Sequence, residues 1–170
     1  VHRADRRSPC PLPPDVRCFA VAGNIVLLGA QAAGHRKAAH IRRQRARAAA
    51  VGTVDKPIGR DPKNRKRMAV VPTGRRAVTH YRVLETYRNT SWVECRLETG
   101  RTHQIRVHMA SMGHPVVGDP LYATGYKDYG LSGQALHAAV LQFEHPVSGE
   151  KMRLEAPLPD HMKKLLESLT

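Results

Sequence analysis

The sequence has no long hydrophobic run and few cysteines. No stretch of 18 apolar residues occurs in the 170-residue chain, so these residues are not expected to contain a transmembrane helix. Three cysteines, Cys10, Cys18 and Cys95, form an odd set without CxxC spacing. Neither a disulfide framework nor a zinc site is therefore expected. The sequence favours a reducing compartment, and we expect the protein to be cytoplasmic.

Motifs of several common catalytic sites are also missing. The chain has no GxSxG nucleophile turn, no P-loop and no GxGxxG fingerprint. His103 and His108 are five positions apart, which is not the i, i+4 spacing of a zinc-binding helix. An arginine-rich, carboxylate-poor site remains, which suits binding a phosphate or holding one catalytic Asp in an ion pair. The candidate carboxylates, among which the sequence alone does not choose, are Asp5, Asp55, Asp61 and Asp119.

Acidic residues are scarce in the first half of the chain. The net charge is +14, and residues 1–76 hold 18 Lys and Arg against 4 Asp and Glu, whereas residues 77–170 hold ten of each kind. Such a basic region attracts polyanions, most commonly nucleic acid, although a solvated tail would have the same composition. The KNRKR segment at residues 63–67, together with Arg75 and Arg76, forms either a solvated loop or a surface that faces phosphates.

Two antiparallel strands are predicted within residues 77–97, because the first part is rich in β-branched and aromatic residues and the part at residues 92–98 alternates. Another pair is predicted within residues 134–157, on either side of the turn VSGE. A helix is expected over residues 102–112, with Thr102 as its N-cap, because Ile105, Met109 and Met112 recur on one face. Another amphipathic helix is expected over residues 158–170. The predicted fold class is α+β, with a mixed, largely antiparallel sheet and flanking helices.

Residues 97–122, LETGRTHQIRVHMASMGHPVVGDPLY, have the highest density of polar groups in a rigid setting. Arg101, His103 and Gln104 lie at or near the first turn of the predicted helix, where free N–H groups and the helix dipole favour an anion. Arg101 and His103 either hold a phosphate or support the loop; each histidine alone is more often structural.

This block resembles RluA/RluD-type RNA pseudouridine synthases. The similarity begins at GTVDKPIGRD (residues 52–61) and continues through AVTHYRVLE, the central block, QALHA and HPVSGE. It covers residues 52–170, as the C-terminal part of a pseudouridine synthase catalytic domain. It implies the isomerisation of uridine to pseudouridine in RNA, with large-subunit ribosomal RNA as the expected substrate. It also implies a monomer that acts without a metal or an organic cofactor and does not bind a membrane.

The family motif H-R-L-D-x-x-T-S-G is matched only in outline by VHRAD at residues 1–5. The resemblance implies that Asp5 is the nucleophile, that Arg3 helps to flip the target base, and that Arg106 pairs with the catalytic Asp. A base inside a duplex must leave the stack before such an attack. The substrate-binding residues implied by the resemblance are Arg3, Arg101, His103, Gln104 and Ile105.

Residues 6–51 depart from the family pattern, because they lack the T-S-G sequence and the later strand with an active-site Tyr. We expect residues 1–51 to be an aberrant or poorly ordered basic segment that carries a degenerate H-R-x-D motif. We also expect the family's opening strands to be missing before it. A misjoined or out-of-frame stretch and a divergent, non-catalytic RNA-binding homologue are both compatible with this composition.

Overall fold

The structure is a computed structural model that describes residues 21–29, 51–87, 89–125 and 128–169. The strands are Val21–Gly29 (β1), Val51–Asp55 (β2), Ile58–Arg60 (β3), Met68–Val70 (β4), Val78–Thr86 (β5), Thr90–Leu97 (β6), Leu136–Glu144 (β7) and Lys151–Glu155 (β8). The helices are Gln104–Ser111 (α1) and Asp160–Glu167 (α2). No helix in the described part of the chain is long and apolar enough to cross a membrane.

Six strands form one sheet in the order β2-β5-β6-β1-β7-β8, and β3 pairs with β4 in a separate hairpin. Each described strand pair is antiparallel. The arrangement confirms the α+β class and both strand pairs expected from the sequence. The sheet is wider than those pairs, because β1 lies between β6 and β7 and joins them.

Strand β1 belongs to the segment that was expected to be aberrant or poorly ordered. Its backbone pairs with β6 from Gly23 opposite Arg96 to Gly29 opposite Thr90. The proposed boundary between residues 51 and 52 is therefore not a boundary of the sheet, since strands on both sides of it share hydrogen bonds. The other residues of the 1–51 segment, apart from Val51, lie outside the described residues.

Helix α1 is buried on two sides. Ile105 and Met109 pack with Val93 and Cys95 of β6, as the periodic apolar residues predict. Val107 belongs instead to a cluster with Ile58 of the β3–β4 hairpin. The helix therefore fills the space between the main sheet and the hairpin, and even its polar residues Gln104, Arg106 and His108 are buried.

A chain of hydrogen bonds satisfies the polar groups that α1 buries. The Gln104 Nε2 group donates to Thr79 Oγ1 at 3.1 Å, and the Thr79 hydroxyl lies 2.8 Å from His108 Nδ1. His108 Nε2 is 3.0 Å from the Lys56 carbonyl oxygen, so Nε2 carries the proton and Nδ1 accepts from Thr79. Burial lowers the pKa of His108 and outweighs the opposing hydrogen bond to the Lys56 carbonyl, while the Lys56 charge lowers the pKa further and the Asp55 charge raises it. The imidazole is therefore held in its neutral form.

We predict that the His108 network makes stability fall on mild acidification. Because the pKa of His108 is lower in the folded state, its contribution is complete above pH 6.5 and is lost as the unfolded chain takes up the proton. Urea unfolding between pH 7.5 and 5 should show a slope of at most about 1.4 kcal/mol per pH unit from this group. The slope should decrease in H108Q.

The matched control is H161Q, because His161 is exposed on α2. Its pH dependence should follow that of the parent protein. Equal slopes in the parent protein and in H108Q would contradict a neutral, buried His108.

Candidate functional site

The start of α1 lies at a cleft of about 330 Å³. The end of β6 and the start of β7 contribute Leu97 and Leu136 to its lining. Its other lining residues are Arg101, His103, Gln104, Ile105, Arg106 and Gln134. Five residues predicted to take part in the site therefore line one cavity.

The dominant charged interaction at this cleft is an ion pair between Arg106 and Asp119. Arg106 Nε donates to Asp119 Oδ2 at 2.7 Å, and one Nη donates to Oδ1 at 2.8 Å. The side chains are 9% and 0% exposed, so the pair is screened little by water. Burial raises the pKa of Asp119, but hydrogen bonds from Arg106 and from two backbone N–H groups outweigh it and leave the pKa below its usual value. Both partners are therefore charged at neutral pH.

The loop after α1 places the carboxylate of Asp119. Asp119 Oδ1 also accepts from the backbone N–H groups of Leu121 and Tyr122, at 2.9 and 3.1 Å. Gly118, immediately before it, has φ 72°, and a Cβ atom there would collide with the Gly133 carbonyl oxygen. A glycine is required because the backbone is left-handed and another chain segment passes close to it. The turn at residues 118–120 therefore places the buried Asp119 carboxylate next to Arg106 of α1.

The start of α1 differs from the prediction. The N-cap is His103, not Thr102, and it has φ 57° with no side-chain capping bond. Gln104 closes the preceding turn instead, because its Oε1 accepts from the Arg101 N–H at 2.9 Å and from the Thr99 hydroxyl at 2.8 Å. Gln104 Nε2 donates to Val78 O and Thr79 Oγ1, so its amide is fully engaged within the protein. Gln104 therefore supports the turn.

Tyr122 connects the site to the β3–β4 hairpin. Its hydroxyl accepts from the Met68 N–H at 2.9 Å and lies 3.1 Å from His103 Nδ1. The guanidinium carbons of Arg67 and Arg106 lie 5.0 and 5.1 Å from its ring centroid, within the range of cation–π attraction. The hairpin is thereby held next to the cleft.

Some of the predicted site residues lie in the described part of the structure and others do not. Asp5 and Arg3 lie outside the described residues, so the pairing of Arg106 with Asp5 stays a prediction. Asp119 was one of four undecided carboxylates, and the role of Tyr122 was missed. The sequence signal for both was the GDPLY turn, in which a glycine precedes an acidic residue among apolar neighbours. Among the described residues, no three His, Cys, Asp or Glu side chains are grouped to hold a metal ion.

Comparisons with known proteins agree with this architecture. The structure is similar to human RNA pseudouridylate synthase domain containing 1, with a TM-score of 0.65 and 22% identity over 89% of this chain and 66% of that protein. It is also similar to human RNA pseudouridylate synthase domain containing 4, with a TM-score of 0.61 and 21% identity over 88% of this chain and 62% of that protein. These similarities concern the fold.

The sequence gives a closer relationship. The chain is 55% identical over 118 residues to the uncharacterized RNA pseudouridine synthase YlyB of Bacillus subtilis, covering 69% of this chain and 39% of the relative. It is 51% identical over 130 residues to ribosomal large subunit pseudouridine synthase D of Xanthomonas campestris, covering 69% and 39%. The chain thus spans about two fifths of the length of these relatives. A family model for RNA pseudouridylate synthase matches residues 25–111, and the chain belongs to this family.

Proposed function

We propose that the protein isomerises uridine to pseudouridine in RNA, and that its substrate is large-subunit ribosomal RNA. The observation that carries the proposal is the buried Arg106–Asp119 pair at a cleft in a chain of this family. The ribosomal substrate is taken from relatives named ribosomal large subunit pseudouridine synthase D, which are about half identical to this chain.

Asp5 is the proposed nucleophile, and Arg106 is the cation that keeps it ionised. A guanidinium has five N–H donors, and Asp119 takes two of them, on Nε and one Nη. Among the described residues, the other Nη has no hydrogen-bond partner, while Arg106 lines the cleft. This free edge can receive a second carboxylate. Arg3 would take the place of the extruded base in the RNA stack.

The exposed side of the β3–β4 hairpin is the proposed contact with RNA phosphates. Lys63, Arg65 and Lys66 are exposed there, and no described carboxylate forms an ion pair with them. Arg67, next to them, stacks on Tyr122 at the cleft. The exposed cations of the hairpin and the arginines that line the cleft are thus proposed to bind one polyanionic substrate.

The proposed enzyme acts in the cytoplasm as a monomer and needs neither a metal nor an organic cofactor. The described cysteine, Cys95, is a free thiol that is fully buried in the core. Burial, with a smaller contribution from Glu94, raises its pKa to about 12, so it is not a nucleophile.

The second candidate is a non-catalytic RNA-binding homologue or an inactive fragment, which the departures in residues 6–51 favour.

Substitution of Asp5 tests the function directly. Isomerisation moves the glycosidic bond from N1 to C5, so tritium at C5 of uridine is released to water. The chain should release tritium from labelled ribosomal RNA transcripts, and D5N should abolish this release because an amide is a poor nucleophile. D160N, which changes an exposed carboxylate on α2, should keep the parent rate. Activity that survives in D5N would rule out this nucleophile, and salt-dependent RNA binding without any release would support the second candidate.

We predict a large loss of stability when Asp119 is neutralised. D119N leaves the buried Arg106 charge without a counter-ion, which costs about 3–5 kcal/mol in comparable buried pairs. R106K keeps a positive charge but loses the two-point geometry, so the loss of isomerisation rate, expressed as an activation free energy, should exceed the loss of unfolding free energy. Urea unfolding and tritium release measure the two effects.

D128N is the matched control for D119N, because Asp128 is exposed and accepts a backbone N–H in a turn. Its unfolding free energy should stay within about 0.5 kcal/mol of the parent value. A D119N protein as stable as D128N would show that the ion pair contributes little.

We predict that the hairpin cations determine the salt dependence of RNA binding. The slope of log Kobs against log salt should become shallower by up to about 2 in a K63A/R65A/K66A variant, at about 0.7 per phosphate contact on single-stranded RNA. A K151A/K163A/K164A variant removes the same charge from exposed positions elsewhere. If both variants change the slope equally, net charge rather than this surface is responsible.

A further inference from the structure

His103 combines an unusual backbone conformation with a specific hydrogen bond. Its φ of 57° is left-handed, and Tyr129 is the other non-glycine residue with positive φ among the described residues. Such conformations are disfavoured for side chains with a Cβ atom and persist where surrounding contacts impose them. The side chain of His103 is held in place by Tyr122. His103 Nδ1 lies 3.1 Å from the Tyr122 hydroxyl, and the two rings meet edge to face at an interplanar angle of 80°.

The hydroxyl of Tyr122 determines which nitrogen of His103 carries the proton. The oxygen already accepts the Met68 N–H, and Tyr122 is only 7% exposed. Its own O–H needs an acceptor, and among the described residues His103 Nδ1 is within hydrogen-bond distance. If Nδ1 were protonated, the buried O–H would be left without a partner, which is costly. Nδ1 is therefore the acceptor and Nε2 carries the proton.

We propose that Tyr122 is a positioning residue that holds His103 as the neutral Nε2–H form, and that this N–H donates to an oxygen of the nucleotide bound in the cleft. His103 lines the cleft with Arg106, and its Nδ1 edge is already occupied by Tyr122. The donor role rests on the proposed function, whereas the state of the imidazole does not.

The surrounding charges favour the neutral form. Burial lowers the pKa of His103, and the Arg106 cation lowers it further, while Asp119 opposes them. Arg101 lines the same cleft and adds another positive charge there. A neutral donor beside these cations can approach an oxygen acceptor without the cost of bringing a third positive charge into the site.

The arrangement also distinguishes His103 from a histidine that serves packing alone. His108 uses both ring nitrogens within the protein, on Thr79 and on the Lys56 carbonyl. His103, in contrast, has one ring nitrogen bound to Tyr122 and, among the described residues, no partner for the other. The free N–H belongs to a residue at the cleft, which is the placement that a ligand-binding donor requires.

The test is nitrogen NMR of the labelled full chain. Long-range proton–nitrogen spectra, assigned by comparison with H103N, should show His103 Nδ1 unprotonated and Nε2 protonated at neutral pH. In Y122F the hydrogen bond that stabilises the neutral form is lost, so His103 should titrate at higher pH than in the parent protein. A protonated Nδ1 in the parent protein, or an unchanged titration in a folded Y122F, would overturn the proposal.

The identity of the acceptor is tested with three probes on the same sample: uridine, inorganic phosphate and uridine 5′-monophosphate. A shift of the His103 Nε2 signal with uridine assigns the acceptor to a base or sugar oxygen. A shift with inorganic phosphate assigns it to a phosphate oxygen of the RNA, and uridine 5′-monophosphate, which carries both kinds of acceptor, should shift the signal in either case. No shift with any probe would overturn the donor role. An inactive chain with the expected imidazole state would refute the proposed function but not the positioning by Tyr122.

Discussion

The two-point ion pair between Arg106 and Asp119 is the interaction on which the rest of the site depends. Both side chains are buried, so neither charge is tolerable without the other. The pair joins α1 to the loop that follows it, and the same carboxylate fixes the backbone N–H of Tyr122. Tyr122 in turn holds the β3–β4 hairpin and His103. One carboxylate thereby connects Arg106, the cleft and the basic hairpin.

The unusual burial of α1 explains why its sequence is not simply amphipathic. A helix with one buried face has a polar opposite face, but α1 is covered by the main sheet on one side and by the hairpin on the other. Gln104 and His108 therefore enter the core, where every polar group must find a partner. Thr79 on β5 supplies that partner for both residues, and the network fixes how the helix lies on the sheet.

The sequence predicted elements well where the pattern was local. Strand-forming residues and the turns between them identified both strand pairs, and the spacing of Ile105 and Met109 identified the face of α1 that packs on β6. Features that depend on contacts between distant parts of the chain could not be predicted from the sequence. The choice of Asp119 depends on a loop conformation set by contact with Gly133, and the insertion of β1 between β6 and β7 depends on pairing over long sequence separations. The start of α1 differs from the prediction, because the N-cap is His103 without a side-chain bond and the Gln104 side chain closes the turn that precedes the helix.

The pairing of Arg106 with a structural carboxylate bears on how a nucleophile would behave beside it. A lone buried guanidinium would stabilise a carboxylate anion strongly and so make it a poor nucleophile. Asp119 already balances the charge of Arg106, so a second carboxylate at the free edge meets oriented N–H donors rather than an uncompensated cation. Such a partner keeps a carboxylate ionised and aligned at moderate cost to its reactivity. For the proposed nucleophile, Asp119 would therefore set both the position of Arg106 and the net charge that the nucleophile meets.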